Sequence, residues 1–213
     1  MMNIELQNLS FLPSGKEIFK DINFSFKAGF TYLISGPSGC GKSSLMDIIS
    51  GLKPQSAGTL LSDGKIPVNM CDYRKSCQYL RQVAFVYPKT VKENLLSPLQ
   101  YHNMNTHNDE ELDQLSSKLF PEGLDLKQDA TELSGGQQQR LALLRAFLLK
   151  PKVLICDELS AGLDEISREL CENFLENECA ELTLIYVTHI KDSFGESDKT
   201  IRLKMNKNSL ELM

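Results

Sequence analysis

The chain has no run approaching the ~18–20 continuous apolar residues that a membrane span requires. Apolar stretches such as residues 153–156 and 182–187 have the length of strands. The opening residues Met1-Met2-Asn3-Ile4-Glu5 lack the basic start and apolar run of an export signal. The six cysteines (40, 71, 77, 156, 171 and 179) include no Cys-x-x-Cys pair and no zinc spacing, so reduced thiols in the cytosol are expected. Basic charge is not in excess: 23 Lys and Arg face 28 Asp and Glu, for a net charge of −5. That balance speaks against a general nucleic-acid binder but not against a local cationic site. If the protein works at a membrane, another subunit must supply the span. What is present is ordinary for a globular chain: 41% apolar and 24% charged residues exclude wholesale disorder. A length of 213 residues fits one domain, or one with a small insert, that builds a core without staples.

Strand and helix signals alternate. Ile4, Leu6 and Leu9 precede a Pro13-Ser14-Gly15-Lys16 turn, and Ile22, Phe24 and Phe26 then alternate with polar residues, the period of a half-buried strand. Residues 31–34 form a short apolar strand; Leu45, Ile48 and Ile49 mark a helix face ended by Gly51 and Pro54. Residues 58–64 read as a hairpin and 83–86 as a strand. From about residue 88 to 131 the chain is polar and spaced for helix. Asn108 followed by Glu111 is a helix start, with Leu112, Leu115 and Leu119 on one face. A helix over 137–150 is stopped by Pro151. A buried-type strand at 153–156, a helix carrying Leu170, Phe174 and Leu175, a second buried strand at 183–187 and one or two short strands (200–203, 209–212) complete the chain. This alternation predicts an α/β domain with a mainly parallel sheet.

The sharpest motif is Gly36-Pro37-Ser38-Gly39-Cys40-Gly41-Lys42-Ser43, followed by Ser44. It has the Gly-x4-Gly-Lys-Ser spacing of a phosphate-binding P-loop. Chance yields that spacing in roughly one in a hundred chains of this length, and here an apolar strand enters the loop and a helix leaves it. Glycines let successive N–H groups turn inward around an anion, and the helix N-terminus adds partial positive charge. Lys42 is a mobile charge for β- and γ-phosphates, and the Ser43 hydroxyl suits a Mg²⁺ shell. A dinucleotide fingerprint fails because Gly39-x-Gly41 is followed by Ser44. Downstream, Val153-Leu154-Ile155-Cys156-Asp157-Glu158 is an apolar strand from whose end two carboxylates emerge. Asp157 is expected to hold Mg²⁺ through water, and Glu158 to polarise an attacking water.

Leu133-Ser134-Gly135-Gly136-Gln137 resembles the signature motif of ABC-type ATPases. Ser160-Ala161-Gly162-Leu163-Asp164 resembles that family's D-loop, and His189 its switch histidine. Order and spacing match from Ile4 to about Leu203. Within the family, the chain resembles short ATP-binding subunits of bacterial transporters. Its Gly-Pro-Ser-Gly-Cys-Gly-Lys-Ser loop and Val-Thr-His-x-Lys-Asp run are similar to the type assigned to iron or metal export. The resemblance implies a P-loop NTPase of ABC type over residues 1–213. A core with an N-terminal antiparallel β subdomain (1–87 and 134–213) would carry a small helical subdomain (about 88–133). It implies ATP and Mg²⁺ as cofactors and Lys42, Glu158 and His189 as catalytic. Ser134, Gly135, Gly136 and Gln137 would close on the ATP of a second copy in a head-to-tail homodimer. It also implies a separate membrane permease as partner, no nucleic acid, and a place on the cytoplasmic face of the membrane.

Three departures stand out. Family members usually place a Gln after the strand expected at 83–86, and the run here reads Tyr87-Pro88-Lys89-Thr90. Leu159 stands where Pro is usual. The candidate for the adenine-stacking aromatic is Phe11, in a shortened stretch where a core Phe fits equally well. Cys40, among the loop's N–H groups, is expected to be the most reactive thiol. His102 and His107 lie in an Asn-rich loop without ligand spacing. Two rival readings stay open. A soluble ABC ATPase acting on DNA or ribosomes would usually carry a long coiled coil or a second ATPase unit, and this chain has neither. A non-hydrolysing regulator is suggested by Pro88 and opposed by Lys42, Asp157, Glu158 and His189.

Overall fold

The computed structural model describes residues 1–104, 109–159, 161–188 and 197–213. The chain divides into two units: Met1–Tyr79 with Lys152–Glu158 and Ala180–Met213, and Leu80–Pro151 with Leu159–Cys179.

The first unit holds both sheets. Strands β1 (Ile4–Phe11), β2 (Phe19–Phe26) and β4 (Ala57–Ser62) form an antiparallel sheet in the order β2-β1-β4. The second sheet also takes in β3 (Thr31–Ser35), β5 (Cys77–Leu80), β6 (Val153–Asp157), β7 (Thr183–Val187), β8 (Thr200–Asn206) and β9 (Ser209–Leu212), in the order β5-β6-β7-β3-β8-β9. β3 pairs in parallel with β7 and β8, and β6 in parallel with β7; β9 closes the edge antiparallel to β8. Every residue of β6 and β7 is buried. Strands covered on both faces have no polar face to alternate with, which is why both are apolar apart from Asp157 at the end of β6 and Thr183 at the start of β7. The parallel pairing brings the C-terminal ends of β3 and β6 to one sheet edge, where ligands bind in open α/β sheets. Helix α1 (Lys42–Ile49) leaves β3 there and buries Leu45, Ile48 and Ile49 as expected. Helix α2 (Met70–Ser76) is capped by Asn69, whose side chain accepts from the N–H groups of Cys71 and Asp72.

The second unit is helical: α3 (Val91–Tyr101), α4 (Asp109–Leu119), α5 (Gly135–Leu148) and α6 (Glu165–Glu178). Leu112, Leu115 and Leu119 are buried, as their spacing predicts. Thr90 and Ser134 each form a reciprocal capping box, with Glu93 and Gln137. These motifs satisfy N–H groups that a helix start otherwise leaves open. Buried Arg140 is paired with Glu122 at 2.8 Å and lies 4.8 Å over the Phe120 ring.

Four expectations need correction or limits. The run 83–86 is not a strand: Val83 and Phe85 are 80% and 65% exposed, and the strand is β5, at Cys77–Leu80. The hairpin at 58–64 reduces to a turn with one bridge, Ser62 to Lys65, because β4 pairs instead with β1. Helix α5 begins and ends two residues earlier than expected, since the Ser134 cap admits Gly135 and Gly136 into its first turn and Lys150 takes a positive φ of 50°. The expected helix start at Asn108 lies outside the described residues.

Candidate nucleotide-binding site

The loop between β3 and α1 is held by its glycines. Gly36 lies against the backbone oxygen of Met205, where a side chain would not fit. Gly41 has φ of 104°, and a Cβ there would come within 2.9 Å of Ile18. Gly39, at φ of 76°, faces open space. Gly41 gives α1 no side-chain cap, so the first N–H groups of the helix are left for an anion. Ser38, Gly39, Gly41, Lys42, Ser43 and Ser44 line an open cavity of about 250 Å³ with Ile18 and Glu158. That is below the ~300–1,000 Å³ of pockets that enclose drug-sized ligands; it fits a phosphate chain and leaves a base outside. The ammonium of Lys42 donates to the carbonyl oxygens of Gly36 (2.8 Å) and Pro37 (3.2 Å). Phosphate oxygens can replace those neutral acceptors with stronger charge-assisted bonds.

At the end of β6, Asp157 is 5% exposed. Its Oδ2 accepts a hydrogen bond from the Tyr79 hydroxyl at 2.9 Å, while Oδ1 is buried without a hydrogen-bond partner among the described residues. Glu158, one residue on, adopts a φ of 51° and donates its N–H to the Val187 oxygen at 2.9 Å. A left-handed backbone costs a non-glycine residue roughly 1–2 kcal/mol, and here it accompanies a carboxylate that lines the cavity. The residues present fit Mg²⁺. A hard cation takes oxygen donors, often one or two carboxylates completed by phosphates and water. The free Oδ1 of Asp157 and the exposed Ser43 hydroxyl are such donors.

The signature residues belong to the second unit. Ser134 Oγ accepts the Gln137 N–H at 3.2 Å, and Gln137 Oε1 accepts the Ser134 N–H at 3.0 Å. Gly135 has open space beside it; a Cβ on Gly136 would meet Ser167 Oγ at 2.5 Å and Asp164 Oδ2 at 3.1 Å. Gly136 is thus what lets the starts of α5 and α6 approach. Asp164 caps α6 by accepting the Ser167 N–H at 2.8 Å, and its bonds to Ser167 hold its carboxyl below the usual range. Ala161 and Gly162 are exposed and Leu163 half-buried just ahead of it. Ser160, His107 and His189 lie outside the described residues.

Two other expected residues, Phe11 and Cys40, are not among those lining the cavity. Phe11 packs 6.0 Å from Phe19 against the core and does not line the cavity. Cys40 is 5% exposed, so burial limits the reactivity expected of it. Burial pushes the thiols of Cys77, Cys171 and Cys179 up to about 12. The expected loss of a Gln after the strand is also corrected. Because the strand is Cys77–Leu80, the residue two positions beyond it is the exposed Gln82. Gln82 and Tyr79 were missed for one reason, the misplaced strand. Its ends Cys77 and Leu80 are buried and Gln78 and Tyr79 half-buried, which is not a period-2 pattern, so the sequence carries no strand signal that would have found either.

A glycine-cradled anion loop at the sheet edge, with acidic residues at the end of a nearby parallel strand, defines a P-loop nucleotide-binding ATPase fold. Residues 19–161 match the ABC transporter family, and the chain belongs to it. It is 36% identical to the probable iron export ATP-binding protein FetA of Escherichia coli K12, covering 94% of this chain and 91% of that protein. It is 35% identical to the phosphate import ATP-binding protein PstB of Campylobacter jejuni, over 85% and 78% of the two. The fold matches a bacterial Atm1-family ABC exporter with ATP bound, at a TM-score of 0.85 and 22% identity; the likeness spans 98% of this chain and 37% of that one.

Proposed function

We propose that this chain is the ATP-hydrolysing subunit of a transporter that moves iron or another metal ion out of the cell. It would act as a head-to-tail homodimer coupled to a separate membrane permease. The observation that carries the reading is the cavity shared by the P-loop and Glu158. Loop N–H groups and Lys42 bind the phosphates, and Lys42 gives up the Gly36 and Pro37 oxygens to do so. Ser43, and Asp157 through water, would hold Mg²⁺, which when bound neutralises phosphate charge. Glu158 orients and deprotonates the attacking water; His189, to which the resemblance gives the switch role, lies outside the described residues. One chain carries one P-loop and one Ser134-capped helix start, so each ATP is completed by the signature of the other copy. Gln82 takes the place that the family gives to the Gln touching metal and water.

A separate permease, with this chain on its cytoplasmic face, rests on the likeness to the iron export ATP-binding protein; among the described residues no helix is long and apolar enough to cross a membrane. A docking surface is supported by exposed Val83, Phe85 and Tyr87. The loop bearing them is held by Asn94, which bonds both the N–H and the carbonyl of Tyr87, and by Arg145, which donates to the Phe85 carbonyl. The metal-export part rests on the likeness to the iron export protein. Co-purification of the tagged chain from membranes tests the partner: a multi-span protein held through Phe85 and lost in Phe85→Asp supports it, and a chain found alone contradicts it. Cells lacking the chain should accumulate iron; unchanged iron would overturn the cargo.

A further inference from the structure

Asp157 is the carboxylate expected to meet the metal's water shell, and its two oxygens are treated differently. Oδ2 is engaged by the Tyr79 hydroxyl at 2.9 Å; Oδ1 is buried and has no hydrogen-bond partner among the described residues. An ionised carboxylate only accepts, so a phenol facing it donates. A buried acceptor without a partner is costly, and a native site retains one where something absent completes it. Tyr79 sits on β5, and its body packs against the core that also contains Val153 and Ile155 of β6. The phenol is therefore anchored by packing rather than by the loops that would move with nucleotide.

We propose that Tyr79 is a positioning residue for the metal. By holding Oδ2 it fixes the rotation of the Asp157 carboxylate and leaves Oδ1 alone for the water shell of Mg²⁺. This rests on the reading of Asp157 as the metal-side carboxylate, and it makes Tyr79 an outer partner whose effect is felt only when metal is present. Losing such a partner typically lowers metal affinity ~10–100-fold; with water between carboxylate and metal, the lower end of that range, about tenfold, is expected here.

The test is ATP binding by the whole purified chain, titrated with MgCl₂ and repeated in EDTA. Tyr79→Phe should need about tenfold more Mg²⁺ to reach the same ATP affinity, with ATP affinity in EDTA unchanged. Tyr79→Phe in an Asp157→Asn background should add no further loss, because an amide gives the metal no charge for the phenol to orient. That double variant decides the matter even where the single one folds poorly. Wild-type Mg²⁺ dependence in Tyr79→Phe, equal losses with and without Mg²⁺, or a further tenfold loss in the Asp157→Asn background would each overturn the role of Tyr79. A wild type whose ATP affinity ignores Mg²⁺ would overturn the reading of Asp157 itself, and the proposal with it.

Discussion

At the scale of single residues, the proposed function gives three side chains different work: Lys42 supplies charge, Asp157 an oxygen and Glu158 a base, so their losses should differ in kind. Each charge-assisted hydrogen bond is worth roughly 1.5–3 kcal/mol, so Lys42→Ala should weaken ATP binding by at least about tenfold. Equilibrium binding of labelled ATP checks this. Glu158→Gln should keep ATP affinity and lose ~10²–10⁴ in turnover, the usual contribution of a positioned general base. Gln82→Ala should lower turnover while changing ATP affinity little, since Mg²⁺ readily replaces a neutral oxygen by water. Pro88→Gln should change neither, because Pro88 lies on an exposed loop eight residues beyond β5. A steady-state comparison of the two variants separates these roles. Among the thiols, burial and a pKa near 12 leave Cys77, Cys171 and Cys179 almost without thiolate at pH 8. Cys71 is the cysteine that is not buried. N-ethylmaleimide followed by mass spectrometry should therefore mark Cys71 first, and early labelling of Cys171 or Cys179 would show that the second unit opens.

At the scale of elements, helix starts carry both structure and chemistry. Thr90 and Ser134 have the same capping box, yet only Ser134 stands in the signature. Thr90→Ala should cost about 1 kcal/mol in urea unfolding, the usual worth of a cap, with hydrolysis unaffected. Ser134→Ala should cost a similar amount and abolish ATP-driven pairing as well. The strands show where sequence reading succeeds and where it stops. β6 and β7 were legible because strands buried on both faces are apolar along most of their length. The P-loop was legible because each of its residues is demanded by local backbone geometry or by phosphate. β5 was not: Cys77-Gln78-Tyr79-Leu80 is less apolar than the run 83–86, and which of the two joins the sheet is decided by packing beside β6 rather than by propensity. That slip placed the expected Gln at Pro88 and passed over Gln82 and Tyr79 together. β4 went astray likewise, since its partners lie 47 to 58 residues away in β1 rather than across the adjacent Asp63-Gly64 turn.

At the scale of the whole molecule, the chain carries one phosphate loop and one Ser134-capped helix start, and the proposed function pairs them across two copies. The central claim is therefore ATP-dependent pairing at the Glu158 site. Light scattering coupled to size exclusion, applied to Glu158→Gln with and without MgATP, tests it most directly. A chain of 24.0 kDa should run as a monomer without nucleotide and as a dimer of twice that mass with MgATP. Adding Ser134→Ala should return it to the monomer. A Glu158→Gln chain that binds MgATP and stays monomeric at every concentration would contradict the account.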